Sequence, residues 1–266
     1  MTADQPPVAT SGDYRLADFK PLLPLGDGVR ALVIATRERD FLPYLAADLG
    51  GIDLVDAPAA QAAADAAPQI WPESLGIRSL AEPAGPYDLV LSDQPSAARH
   101  LRPGGILCLF LGTARDSAAA PAELTALGQW RALPSWPAFR ALVPDDGRGW
   151  RAATRDLHLL SVRAPAGIAA RLRPGLAGRL LAERGIALYR RTGGAPAESL
   201  LAGLQGALAP QADAAPERRW LLASGRLGPG NPILAFRLDE QGRPDYLIKI
   251  ARFAGATHLQ SEAEQL

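Results

Sequence analysis

Only two of the chain's 28 basic residues are lysines, Lys20 and Lys249. Lys249 lies in the apolar run Tyr246-Leu247-Ile248-Lys249-Ile250-Ala251-Arg252. A cation enclosed in such a strand needs an anionic partner, because burying an unpaired charge is costly. Glu262 or Glu264, in the helical pattern that follows, can supply one. The turn Gly228-Pro229-Gly230-Asn231 precedes both. The local alternative for Lys249 is an edge-strand lysine whose stem covers apolar surface while its head stays in water. Two acids close apolar runs in the first half. Asp56 ends Ile52-Asp53-Leu54-Val55-Asp56, about 20 residues past the first strand's turn, where an acid takes ribose hydroxyls in nucleotide-binding sheets. Asp93 ends Tyr87-Asp88-Leu89-Val90-Leu91-Ser92-Asp93, at the rim where ligands of open α/β sheets bind. The alternative for both acids is capping of the loop or helix that follows.

Other reactive side chains form no constellation. His100, His158 and His258 lie in unrelated elements without metal-ligand spacing, so no metal site is expected. The single cysteine, Cys108, sits mid-strand in Leu107-Cys108-Leu109 and reads as a small core residue. There is no Gly-x-Ser-x-Gly elbow, which leaves hydrolase chemistry unsupported. Trp130, Trp136 and Phe139 read as core.

The elements that must position these residues follow from pattern. A chain of 266 residues with 48% hydrophobic and 21% charged residues has the composition of a folded protein of one or two domains. Its zero net charge argues against a nucleic-acid partner. One cysteine excludes an internal disulfide, and no apolar run is long enough for a transmembrane helix. The first residues lack the pattern of a secretory signal, and a cytoplasmic location is the expectation. Residues 1–27 read as a loose lead-in. From 28 to 162, apolar runs near 30–36, 52–56, 76–80, 87–93 and 106–111 alternate with helical spacing at 41–49, 58–68 and 95–101, with a turn at 102–105. This alternation predicts βαβ units and a mostly parallel sheet with helices on both faces. A helix over 121–133 and two strands near 138–144 and 155–162, joined by a hairpin turn at 145–149, complete that domain. Residues 163–217 read as a helical connector, with helical spacing from Ile168 to Leu188. Its arginines could meet a membrane surface, but the Pro174-Gly175 break favours a solvated face. Residues 218–266 read as a three-stranded antiparallel meander and the start of a helix.

The run Tyr87–Asp93, a short helix, and Leu101-Arg102-Pro103-Gly104-Gly105-Ile106-Leu107 resemble class I S-adenosylmethionine-dependent methyltransferases over about residues 28–162. The resemblance implies a Rossmann-like fold, S-adenosylmethionine as cofactor, and Asp56 and Asp93 among the residues that hold it. The chain departs from the family after its first strand. Thr36-Arg37-Glu38-Arg39-Asp40 contains no glycine where the family's backbone approaches the cofactor, and arginine side chains there crowd the slot.

The tail resembles the N-lobe of aminoglycoside phosphotransferase and choline kinase-like proteins. The matching segments are 227–236, 246–252 and 261–266. The resemblance implies ATP with magnesium, Lys249 on the phosphates held by Glu262, and the Gly228 and Gly230 turn above them. The family's catalytic loop and metal-binding Asp would lie in a C-terminal lobe beyond Leu266. The expectation is therefore the front of a longer small-molecule phosphotransferase that carries a methyltransferase-like domain without methyl-transfer activity. The alternatives are a divergent S-adenosylmethionine-dependent methyltransferase and a non-catalytic interaction module on that fold.

Overall fold

The computed structural model describes residues 14–36, 39–55, 75–112, 122–133, 139–153, 157, 185–208, 219–224 and 231–252. The helices expected over 58–68 and from 256, the strand near 155–162, the helical spacing over 168–184 and Trp136 lie outside them.

The strands are β1 (Ala31–Ile34), β2 (Ile52–Val55), β3 (Ile77–Leu80), β4 (Tyr87–Ser92), β5 (Leu101–Leu111), β6 (Leu124–Leu133), β7 (Ala141–Pro144), β8 (Gly185–Arg191), β9 (Arg219–Ser224), β10 (Ile233–Leu238) and β11 (Pro244–Ile250). They form one sheet in the order β11-β10-β9-β7-β6-β8-β5-β4-β1-β2-β3. The half from β3 to β5 is parallel throughout. Strands β1, β2 and β4 are short and almost wholly buried, which is why they read as apolar runs. From β5 outward every neighbouring pair is antiparallel.

Described helices cover both faces. Helix α1 (Leu42–Ala46) packs into the larger core with Phe19, Phe41, Cys108 and Phe110. Phe19, Phe41 and Phe110 meet with ring centroids 5.4–6.0 Å apart. The 3₁₀ helix Pro95–His100 lies over the opposite face, where Tyr87, Val90, Leu107 and Tyr189 are buried. Burial pushes the Cys108 thiol far above its ordinary value, so this side chain is an inert core residue.

Several expectations are corrected. The helix expected over 121–133 is strand β6. Leu127 and Trp130 lie three apart and imitate helical spacing. A register irregularity between Ala126 and Gly128 inserts an extra residue and brings both onto the same core. The helical connector contains β8, which sits between β5 and β6 with Cys108 opposite Leu188. Ile186 and Leu188 alternate with residues of the other face, as a strand requires. The hairpin turn at 145–149 is the short helix α2 (Gly147–Arg151), capped by Asp146, whose carboxylate accepts the Gly149 N–H at 2.7 Å. Helix α3 (Leu200–Leu208) lies within the stretch expected as a helical connector. The turn at 102–105 lies within β5, whose pairing with β4 is irregular there.

The lead-in is not loose from residue 17 on. Ala17, Phe19, Leu22 and Leu23 are buried. Asp18 and Arg252 form a fully buried bidentate pair at 2.8 Å, joined by Ser224. Lys20, also buried, donates to Asp48 and to the Arg252 carbonyl, so its ammonium is a tie between the two ends of the described chain. The tail forms its expected three strands, but β9 pairs with β7 and continues the same sheet.

Candidate functional site

In the parallel half, the chain leaves β1 toward β2 on one side and β4 lies on the other. Such a reversal opens a crevice at the carboxyl ends of the two strands, the usual ligand site of doubly wound sheets. Ala31, Leu32 and Val33 of β1 stand in register with Leu89, Val90 and Leu91 of β4, so both strands end at the same rim.

Ala35 follows β1 with φ of +51°, among the described residues the only non-glycine in the left-handed region. The turn where a glycine was expected thus adopts a glycine-like backbone with the smallest side chain that has a Cβ. Thr36 follows and is buried. Across the crevice, the Asp93 N–H donates to the Ala35 carbonyl at 3.4 Å, and Ser92 Oγ accepts the Gln94 N–H at 3.0 Å. Asp93 is half-buried on this rim, and the N-cap of the helix that follows is Gln94 rather than Asp93. The rim therefore offers a left-handed small-residue turn, a buried hydroxyl and one carboxylate. This set fits a nucleoside-type group that needs close backbone approach and a hydroxyl-binding acid. Asp56, Arg37 and Glu38 lie outside the described residues.

The opposite, amino ends of the strands carry a charged cluster that the sequence did not single out. Asp53 is buried and accepts Arg78 Nε at 2.9 Å, Arg78 Nη2 at 2.6 Å and the Tyr87 hydroxyl at 2.9 Å. The Arg30 guanidinium lies 5.1 Å above the Tyr87 ring. Burial, helped by the Asp53 carboxylate, raises the Tyr87 hydroxyl above its ordinary value. This cluster borders a depression of about 260 Å³. Its buried groups satisfy one another, and it pins β2, β3 and β4 together. The only sequence signal for it was Asp53, a charge inside an apolar strand.

The tail places Lys249 as the alternative reading of an edge-strand lysine has it, not enclosed in an apolar strand. It is exposed on β11, the outermost strand, opposite Leu234, with Tyr246 and Leu247 exposed beside it. An exposed edge position removes the physical need for a buried counter-charge. Gly228, Gly230 and Glu262, expected beside Lys249, lie outside the described residues. Among the described residues no group of three His, Cys, Asp or Glu side chains is placed to hold a metal, and no helix is long and apolar enough to cross a membrane.

No family model matches the chain, and no curated protein matches it. Similar solved structures include the N-methyltransferase NodS from Bradyrhizobium japonicum WM9 in complex with S-adenosyl-L-homocysteine. It is 14% identical, with 72% of this chain and 94% of that one covered, at a TM-score of 0.34. The [4+2]-cyclase SpnF is 19% identical, with 68% and 81% covered, at 0.34. A functionally unknown protein from Deinococcus radiodurans R1 is 14% identical, with 69% and 90% covered, at 0.36. Likeness at these scores assigns no function to this chain.

Proposed function

We propose that the chain is a divergent S-adenosylmethionine-dependent methyltransferase-type protein that holds its cofactor at the carboxyl rim of β1 and β4. The observation that carries this reading is Ala35. A left-handed residue at the end of the first strand of a doubly wound sheet lets backbone approach a ligand closely, without glycine. Asp93 would accept hydroxyl hydrogen bonds, Thr36 would line the turn, and Asp56 remains the expected ribose acid of the second strand. When bound, the cofactor would supply a methyl group on a cationic sulfur. The chain's own residues would orient it and exclude water at the rim.

Calorimetric titration of the full chain with S-adenosylhomocysteine tests this. Saturable binding is expected, weakened about tenfold by Asp93→Ala, the loss of a charge-assisted hydrogen bond. Thr36→Trp, which fills the turn, is expected to abolish it. Absence of binding to the unmodified chain would overturn the reading.

A further inference from the structure

We infer that the cavity between the antiparallel half of the sheet and helix α3 is a binding site for a small monocarboxylate with an apolar body. The cavity has a volume of about 540 Å³, within the usual range for small-molecule sites. It is separate from the β1–β4 rim, for it opens beside Ile106, where the pairing of β5 with β8 begins.

Leu22, Ile106, Leu188, Trp130 and Trp220 supply the apolar part of its wall. The Trp130 indole N–H is committed to the Trp220 carbonyl at 2.7 Å, so that ring is fixed and offers its hydrocarbon surface. One charge in the lining is uncommitted. Arg190 stands opposite Ile106 on β5 and two residues from Leu188, on the same face as both. Its Nε is buried and meets no hydrogen-bond acceptor among the described residues. Leaving a buried donor of a charged group unmade is costly, and such an atom marks a place for an acceptor.

The acids of the lining do not answer it. Asp145 accepts Arg131 Nε at 3.0 Å, and Asp146 caps Gly149. Arg190 thus offers Nε–H and a neighbouring N–H as a side-on fork, a geometry matched to a carboxylate. One cation beside two carboxylates favours a singly charged anion over a phosphate, whose second charge would face Asp145 and Asp146. The Trp130 ring, with Trp220 and the leucines, would take the apolar body.

The test is calorimetric titration of the full chain with 4-phenylbutyrate and with 4-phenylbutan-1-ol, its neutral counterpart. The acid is expected to bind at least about tenfold more tightly, the size of one charge-assisted hydrogen bond, and Arg190→Met is expected to erase that preference. Ala202→Trp, on the rim of the cavity, is expected to block both ligands, and it serves if Arg190→Met does not fold. Equal binding of acid and alcohol, no binding of the acid, a preference that survives Arg190→Met, or unchanged binding to Ala202→Trp would each overturn the inference.

Discussion

Asp18 and Arg252 meet through two 2.8 Å hydrogen bonds, both side chains are 1% exposed, and they lie 234 positions apart in the chain. The pair closes the described fold, because it locks the segment before β1 onto the residues just after β11. Arg252→Met leaves the Asp18 carboxylate buried without its main partner and is expected to destabilise the protein by about 3–5 kcal/mol. The double change Asp18→Leu with Arg252→Met is expected to recover most of that loss, since neither charge of the pair is left buried without its partner. Urea denaturation of the three proteins measures both numbers. A single variant as stable as the parent would show that the pair does not hold these segments together.

Ala35 is the strained position of the candidate site. A β-branched side chain tolerates its left-handed backbone poorly, so Ala35→Val is expected to lower stability by about 1–3 kcal/mol. Ala35→Gly relieves the strain while adding freedom to the unfolded chain, and is expected to stay within about 1 kcal/mol of the parent. Thermal unfolding of both variants reads the difference. Equal stability of the two would contradict a left-handed Ala35.

Gly104 belongs to the Pro-Gly-Gly segment that first suggested a methyltransferase-like sheet. Its φ is +81°, and a Cβ there would lie 2.1 Å from the Ala195 carbonyl oxygen. Gly104→Ala is expected to cost about 2–4 kcal/mol, through strain and displacement of the 193–197 backbone. Gly28, where a Cβ would meet nothing within 4 Å, supplies the control, with an effect within about 0.5 kcal/mol. Chemical denaturation of the pair checks the contrast.

Asp88 gives the fold an acid-sensitive contact. Burial works against its carboxylate, but the Arg30 backbone N–H at 2.9 Å and the Arg102 guanidinium outweigh burial and hold the carboxyl below its ordinary value. A lowered folded-state value means stability that is fully present above the ordinary carboxylate range and lost as pH falls through the lowered value. Asp88→Asn is expected to flatten the acid side of a plot of Tm against pH and to leave its slope near neutrality unchanged. An unaltered acid limb would show that Asp88 does not contribute to it.

The parallel half of the sheet was legible because β1, β2, β4 and the second part of β5 are apolar runs bounded by polar or glycine residues. The same signal marked β7, β9, β10 and β11. The reading failed where tertiary context reshapes a local pattern. The irregularity at Ala126–Gly128 gave a strand the three-residue spacing of a helix. Strand β8 was absorbed into a helical pattern because Ile186 and Leu188 fit either period in so short a run. The burial of Asp18, Lys20 and Arg252 depends on contacts between chain ends that no local pattern encodes. Of the candidate site, Asp93 was marked by its place after an apolar run. Ala35 was not, since alanine carries no sequence sign of a left-handed turn. The Arg190 cavity was invisible for the same reason that β8 was. For Lys249 the apolar neighbours suggested enclosure, whereas the edge strand leaves it, Tyr246 and Leu247 exposed, as in the alternative reading of an edge-strand lysine.

The most direct test of the proposed cofactor crevice is amide hydrogen exchange on the full chain with and without S-adenosylhomocysteine. Slowed exchange is expected in peptides covering the end of β1 through Thr36 and the end of β4 through Gln94, with no comparable change along β9–β11. Protection that spares both rims, or none at saturating ligand, would contradict a cofactor site at the β1–β4 switch point.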